Sequence, residues 1–253
     1  MQLLVLALVA SAAALAPRTA VDRRTAFKVG TGAAALPFVP AAAQAKGGKK
    51  VVVVGTGFVA SYVARDLAKA GASVTTVSRS SPDAQRAKVA GFVGALPDKA
   101  VTYVSADAAT ADLSAVFKGA DAVVSCVGVV PGGKNQLAGN GAVNVAIADA
   151  AAKSKVPKMV YVSVASAISD GPGKFIFGDY MKGKAQAEAA VKRDFGDYMI
   201  LKPAIISGGP PGPPGPPGVP PVPVEAVAAA AVAGALGKKS GVFDGADAIK
   251  AAL

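Results

Sequence analysis

The sequence predicts an α/β fold, a doubly wound parallel sheet with helices on both faces. Three observations carry this. Val51 to Val54 form a short continuous apolar run, as expected of a strand buried on both faces. The run ends in a glycine turn, Gly55-Thr56-Gly57, followed by a helical pattern from about Val59 to Ala70 that Gly71 closes, and by a second strand from Ala72 to Val77. From Lys49 onward, short apolar strands keep alternating with helical stretches, the pattern of parallel strands joined by crossover helices.

The later elements follow in order. Val101 to Val104 is a third strand, ending near Asp107, and Asp112 to Gly119 a short helix. Ala122 to Val127 is a fourth strand stopped by Gly128, and Asn140 to Lys153 an alanine-rich helix. Met159 to Val164 is the fifth strand, Tyr180 to Arg193 a helix, Tyr198 to Ile206 the sixth strand and Val224 to Leu236 a late helix. Between the last two lies Ser207 to Pro223, SGGPPGPPGPPGVPPVP. Three Gly-Pro-Pro units are far too few for a collagen triple helix, and a polyproline II connector is expected.

Composition narrows the chemistry. The chain has 253 residues and 52% hydrophobic content, enough for a sizeable core. It has no histidine, which excludes His-based triads and His metal sites, and its lone cysteine, Cys126, excludes an internal disulfide. No metal is expected. The net charge of +11 includes about +4 from residues 1–46. The basic remainder favours anionic ligands and is compatible with a peripheral position at an acidic membrane or in a membrane complex. No basic stripe interleaved with aromatics is present, so nucleic acid is not expected as a partner.

Residues 1–46 read as a targeting leader and residues 47–253 as the folded domain. Met1 to Ala16 is an apolar run followed by Pro17-Arg18, similar to the signal-to-transit junction of plastid proteins. Arg23-Arg24 precedes a second mild apolar stretch ending in Ala43-Gln44-Ala45, similar to a twin-arginine signal directed to the thylakoid. Plastid is the expected location and mitochondrion the alternative.

The glycine turn carries the first function. Gly55 supplies backbone angles closed to other residues, and Gly57 allows close approach of a pyrophosphate. The helix behind them presents free N–H groups and its positive dipole end. With Ala60 the pattern is G-x-G-x-x-A between strand and helix, a dinucleotide-binding turn of Rossmann type; the alternative is a tight turn that binds nothing. At the end of the second strand an NAD site carries an acid for the ribose 2′-hydroxyl. This chain has Ser78-Arg79-Ser80 instead. A guanidinium flanked by hydroxyls suits a 2′-phosphate, so NADP(H) is expected over NAD(H).

A second constellation is Tyr180-x-x-x-Lys184, four apart on one helix face. An ammonium near a phenol would lower the phenol's pKa and fit Tyr180 for proton exchange with a substrate oxygen, and Lys184 would also bond the nicotinamide ribose.

Taken together, VVVVGTGFVAS, VSRSS, ADAVVSCVG, Asn140-Gly-Ala-Val-Asn144, KMVYVSVAS, GDYMKGKAQAEA, ILKPAIISG and PPVPVEAVAAAAV resemble the short-chain dehydrogenase/reductase superfamily. More narrowly they resemble its atypical, extended-type branch, which includes the complex I nucleotide-binding accessory subunit, ubiquinone-biosynthesis-associated members and plastid relatives. The resemblance implies roles by position. Gly55, Gly57, Phe58 and Val59 would lie at the pyrophosphate, Arg79 at the 2′-phosphate and Asp107 near the adenine. Cys126, Val127 and Gly128 would line the cofactor, and Pro203 would back the nicotinamide. Tyr180 and Lys184 would be catalytic, with Ser166, preferred over Ser163, holding the substrate oxygen. The chain departs from the branch in three ways: Val54 and Ala60 replace glycines, Lys202 replaces an arginine, and the C-terminal substrate region is reduced.

Two functions are expected. The first is an NADP(H)-dependent oxidoreductase acting on a carbonyl or alcohol of a small apolar substrate such as a quinone, isoprenoid or lipid precursor. The second is a non-catalytic NADP(H)-binding accessory or assembly subunit of a membrane-associated complex, whose charge-poor, alanine-rich helices would pack against partners.

Overall fold

In the computed structural model, residues 48–171, 177–209 and 218–253 are described. The leader and the centre of the Pro/Gly segment lie outside them. Seven strands form one parallel sheet in the order β3-β2-β1-β4-β5-β6-β9. They are β1 (Lys50–Val54), β2 (Ser73–Ser78), β3 (Val101–Ser105), β4 (Ala122–Ser125), β5 (Lys158–Val162), β6 (Asp197–Lys202) and β9 (Gly241–Asp244). Two further short strands, β7 (Ile206–Ser207) and β8 (Val222–Pro223), pair with each other at the two ends of the Pro/Gly segment.

Period-2 alternation on β1 divides the core. Val51 and Val53 point to one layer, where α1 (Phe58–Lys69) and α7 (Val224–Ala235) pack. Val52 and Val54 point to the other, where α4 (Val143–Lys153) and α6 (Gly178–Asp194) pack. All four valines are buried to within 1% exposure, which is why the run does not alternate with polar residues. Helix α7 is alanine-rich because it is buried on nearly every side within this domain: Val227, Ala228, Ala230 and Ala231 are fully covered. Its composition therefore serves the chain's own core.

The structure adds elements that periodicity did not assign. These are α2 (Pro82–Val93), α5 (Ser166–Ser169), the edge strand β9 and the C-terminal α8 (Gly245–Ala251). Helix α3 (Ser114–Phe117) is one turn long. The helix expected from Asn140 begins instead with a π-helical turn, Ala138–Ala142, that continues into α4. A close crossing with α6 lies at this turn. A Cβ placed on Gly183 of α6 would come within 2.9 Å of the Gly141 N and Leu137 O backbone atoms, and one on Gly141 would strike Gln186 and Gly183. Two backbones meet here with no room for a methyl group.

Gly183→Ala should therefore destabilise the domain by about 1–3 kcal/mol, the overpacking cost outweighing the alanine's better helix propensity. A lowered urea midpoint at unchanged m-value is the expected result; an unchanged or raised midpoint would show that the crossing relaxes freely.

Candidate functional site

The strand order reverses between β1 and β4, and a crevice opens there at the carboxyl ends of the strands. It is a cleft of about 610 Å³. From β1 come Gly55, Thr56 and Gly57; from β2, Ser78, Arg79 and Ser80; from β3, Asp107; from β4, Cys126, Val127 and Gly128. Four separate loops thus bring most of the expected cofactor residues to one surface.

Gly55 has φ +114°, a conformation open to glycine, and its N–H donates to Val77 O at 2.8 Å, which turns the chain sharply off the sheet. A Cβ on Gly57 would meet no heavy atom within 4 Å, so the space beside this backbone is open. Helix α1 starts here with no side-chain cap and no acid in its first turn. Its first N–H groups and its dipole face an anion-sized opening. Phe58 and Val59 begin that helix but do not line the cleft. Phe58 packs its ring against Tyr62 and Phe92, at 5.5 and 5.6 Å between centroids. Their contribution at a pyrophosphate would be their backbone.

The adenosine end is cationic. Arg79 is exposed, and Lys88 from α2 lines the same cleft, as does Lys134 from the loop after β4; the one acid in the lining is Asp107. Sequence reading missed Lys88 because it left α2 unassigned. Thr56, also missed, donates from Oγ1 to Ser78 Oγ at 3.3 Å, and Ser80 N–H donates to that same Ser78 oxygen at 3.3 Å. Asp107 Oδ1 accepts from Ala109 N–H at 3.0 Å, which sets its turn.

The β4 wall is held by two buried asparagines. Asn144 accepts from Ser125 Oγ at 2.6 Å and donates to Val127 O at 3.2 Å. Asn140 accepts from Val129 N–H at 3.1 Å and donates to Val129 O and Gln136 O, each at 2.9 Å. These bonds fix the 127–129 loop against the cleft. Burial pushes the Cys126 thiol up to about 12, so it is a neutral wall and not a nucleophile.

Gly128 joins this cleft to the helix expected to carry catalysis. A Cβ there would lie 2.7 Å from Asn140 Oδ1 and 3.4 Å from Lys184 Nζ. Lys184 is 6% exposed, and its Nζ donates to Val162 O at 3.0 Å. Desolvation lowers its pKa from 10.5 to about 8, against the opposing pull of Cys126 and Glu188. Lys184 also lines a second cavity of about 450 Å³ with Val164, Met181, Ala185, Glu188 and Lys202. One ammonium thus lines the second cavity and lies behind Gly128, which lines the first.

Tyr180 differs from expectation in its chemistry. Its ring centroid is 5.7 Å from Lys184 Nζ, and burial raises its pKa to about 12. The spacing predicts a lowered value. The ammonium is spent on the Val162 carbonyl, and desolvation of the phenol dominates. At neutral pH Tyr180 holds its proton, and it is not among the residues that line either space.

The serines are engaged elsewhere. Ser163 is 5% exposed and donates to Glu188 Oε1 at 2.5 Å. Ser166 accepts from Lys202 Nζ at 2.8 Å, and its N–H donates to Asp244 Oδ1 at 3.0 Å. Of the residues just after β5, Val164 is the one that lines the second cavity. Pro203 is buried beyond β6, its carbonyl accepting from Ala165 N–H at 3.0 Å, and it lines neither space. Among the described residues, no group of three or more Cys, Asp or Glu is placed to hold a metal, and no helix is long and apolar enough to cross a membrane.

A dinucleotide suits these residues: an open glycine backbone, an uncapped helix N-terminus, a cationic adenosine end and an ammonium at the far end. The comparisons agree. Solved structures with the same fold include a Bacillus halodurans protein provisionally named an NAD-dependent epimerase/dehydratase (TM-score 0.62, 22% identity, covering 81% of this chain and all of that one). They include the oxidoreductase ylbE of Lactococcus lactis (0.61, 18%, covering 80% and 95%). The Bordetella bronchiseptica enzyme WbmH, solved with NAD+, is similar too (0.60, 18%, covering 78% and 75%). An uncharacterised chloroplastic protein of Arabidopsis thaliana is 30% identical over 167 residues, 66% of this chain; the chain spans about half, 53%, of that relative's length. The profile of the NAD(P)H-binding family matches residues 55–236, the whole span from the glycine turn to the end of α7, and the chain belongs to that family.

Proposed function

We propose that the protein is an NADP(H)-dependent oxidoreductase of the short-chain dehydrogenase/reductase type that reduces a carbonyl on a small apolar molecule, and that it works in the plastid. The observation that carries this reading is Lys184, whose buried ammonium lines the second cavity and lies directly behind Gly128, a wall residue of the dinucleotide cleft. NADPH, when bound, would supply the hydride. The protein's part is to hold and protonate. Tyr180, neutral at physiological pH, would give its phenolic proton to the carbonyl oxygen as the carbon takes up hydride, leaving an alcohol. Lys184, with a pKa of about 8, is matched to returning that proton. Ser163 donates its proton to Glu188 and Ser166 accepts from Lys202, keeping its own O–H to donate, but neither lines the second cavity, so the oxygen would rest on Lys184 with Tyr180 beside it. Val164, Met181 and Ala185 give that cavity an apolar wall, which supports a quinone, isoprenoid or lipid-derived substrate. The preference for NADP(H) rests on Arg79 and Lys88 at the adenosine end. The plastid location rests on the leader and on the chloroplastic relative.

Three outcomes are expected. Arg79→Ala and Lys88→Ala should each weaken NADPH by about tenfold while moving NADH by no more than about threefold, read by calorimetric titration. Equal losses for both nucleotides would place neither cation at a 2′-phosphate. Tyr180→Phe should lower turnover with a panel of quinones and apolar aldehydes by about 10²-fold or more at near-unchanged NADPH affinity. Retained turnover would remove Tyr180 from the chemistry.

The pH dependence has two opposite signs. The folded pKa of Lys184, about 8, lies below the free value of 10.5, so between these values the unfolded chain binds more protons. Stability relative to Lys184→Met should therefore rise with pH across that window. NADPH, being anionic, favours the charged amine, so its affinity should fall over the same range in the wild type and stay flat in Lys184→Met. Parallel melting and titration series would check both; slopes of one sign would contradict the assignment.

A further inference from the structure

Gln85 is the most heavily bonded buried side chain at the adenosine end, and neither the cofactor turn nor the helix expected to carry catalysis accounts for it. It sits in the first turn of α2 with 0% exposure. Its Nε2 donates to Ser80 O at 2.9 Å and to Val104 O at 2.8 Å, with Ser78 O at the limit of reach, 3.5 Å. Its Oε1 accepts from Thr76 Oγ1 at 3.2 Å, and Thr76 is itself 1% exposed. One amide therefore ties together β2, the Ser78–Ser80 loop and the end of β3, from which Asp107 projects.

A residue present only to fill this volume would be apolar. A buried amide costs desolvation unless every donor and acceptor is met, and here they are met by the backbone of the segments that form the cleft. The carbonyl of Ser80 lies outside the strand ladder and has no other donor among the described hydrogen bonds, while that of Val104 belongs to the β2–β3 ladder and takes the amide as a further donor. Without the amide the Ser80 carbonyl becomes an orphan, and the loop that carries Arg79 loses its side-chain tie to the end of β3. The side chains of that loop are mostly exposed, so little else holds it.

Resting on the NADP(H) reading above, we infer that Gln85 is the positioning residue for nucleotide discrimination: it sets the height and orientation of the Ser78–Arg79–Ser80 loop, so that the guanidinium meets a 2′-phosphate, without touching the nucleotide itself. Its effect falls on the 2′-phosphate contact and spares the pyrophosphate and nicotinamide contacts, which belong to other loops.

The test is the ratio of NADPH to NADH affinity, measured by titration on the full folded domain in the wild type, Gln85→Met and Thr76→Val. Met keeps the volume and removes every bond. Val removes only the Thr76 arm. The expected result is a ratio lowered by about tenfold in Gln85→Met, almost all from weaker NADPH, and by a smaller factor of about two to three in Thr76→Val. Deuterium uptake over residues 78–84 should rise in the same order in protein without nucleotide. A general structural role would weaken both nucleotides equally and leave the ratio where it was, and that outcome overturns the inference. If Gln85→Met does not fold, Thr76→Val decides alone: a lowered ratio supports the role and an unchanged ratio overturns it. A wild type that binds neither nucleotide, or prefers NADH, removes the cofactor reading itself. Wild-type discrimination that survives both substitutions removes only the role of Gln85.

Discussion

The complete burial of β1 is the constraint on which the rest of this structure depends. A strand apolar on both faces must be covered on both faces, and it must have a strand on each edge. Helices α1 and α7 cover Val51 and Val53, α4 and α6 lie over Val52 and Val54, and β2 and β4 flank the strand. Because the sequence runs outward from β1 to β3 on one side and from β4 to β9 on the other, the chain leaves β1 and β4 in opposite directions. Nothing fills the gap between the two departing loops. The cleft is a consequence of core packing, and the glycines line it because backbone there must turn sharply and leave space.

What was legible in the sequence was local. Val51 to Gly71 announces strand, turn and helix by run length, glycine placement and period, and the structure has them within a residue or two. Helix α2 was not legible because it has almost no buried face: Gln85 and Val89 are its only buried residues. Its start was written in Ser81-Pro82-Asp83, with Ser81 Oγ accepting from Ala84 N–H at 3.4 Å, but no apolar stripe supported that signal. Strand β9 is a short edge strand with exposed and half-buried positions, recognisable only through its pairing with β6. Missing α2 also hid Lys88 and Gln85, the two residues that add most to the adenosine end.

The site shows the same division. The placement of Gly55, Arg79 and Gly128 in the cleft was legible from motif and order, because it follows from where the strands end. The serines and Tyr180 were not, because their roles depend on what surrounds them. Ser163 and Ser166 look alike in sequence, yet one is bound to Glu188 and the other to Lys202. For Tyr180 the four-residue spacing correctly brings Lys184 alongside, at 5.7 Å from its ring. Spacing carries no information on solvent, and the loss of solvent outweighs the neighbouring charge for both groups.

This loss of solvent also bears on the choice between an enzyme and a binding subunit. Keeping an amine buried with a pKa brought down to about 8 costs stability that methionine or leucine at the same helix position would recover. A subunit that only held a nucleotide would gain from that replacement. The Asn140 and Asn144 bonds and the glycine turn shape the cleft without any group on α6 being ionised. What Lys184 adds is a titratable group near neutral pH in the wall of the second cavity, beside a phenol that holds its proton. Both features are costs to the fold and assets to proton transfer. The alanine-rich α7 is covered by this domain's own core. The proposed proton transfer would use these costs, and nucleotide storage would not.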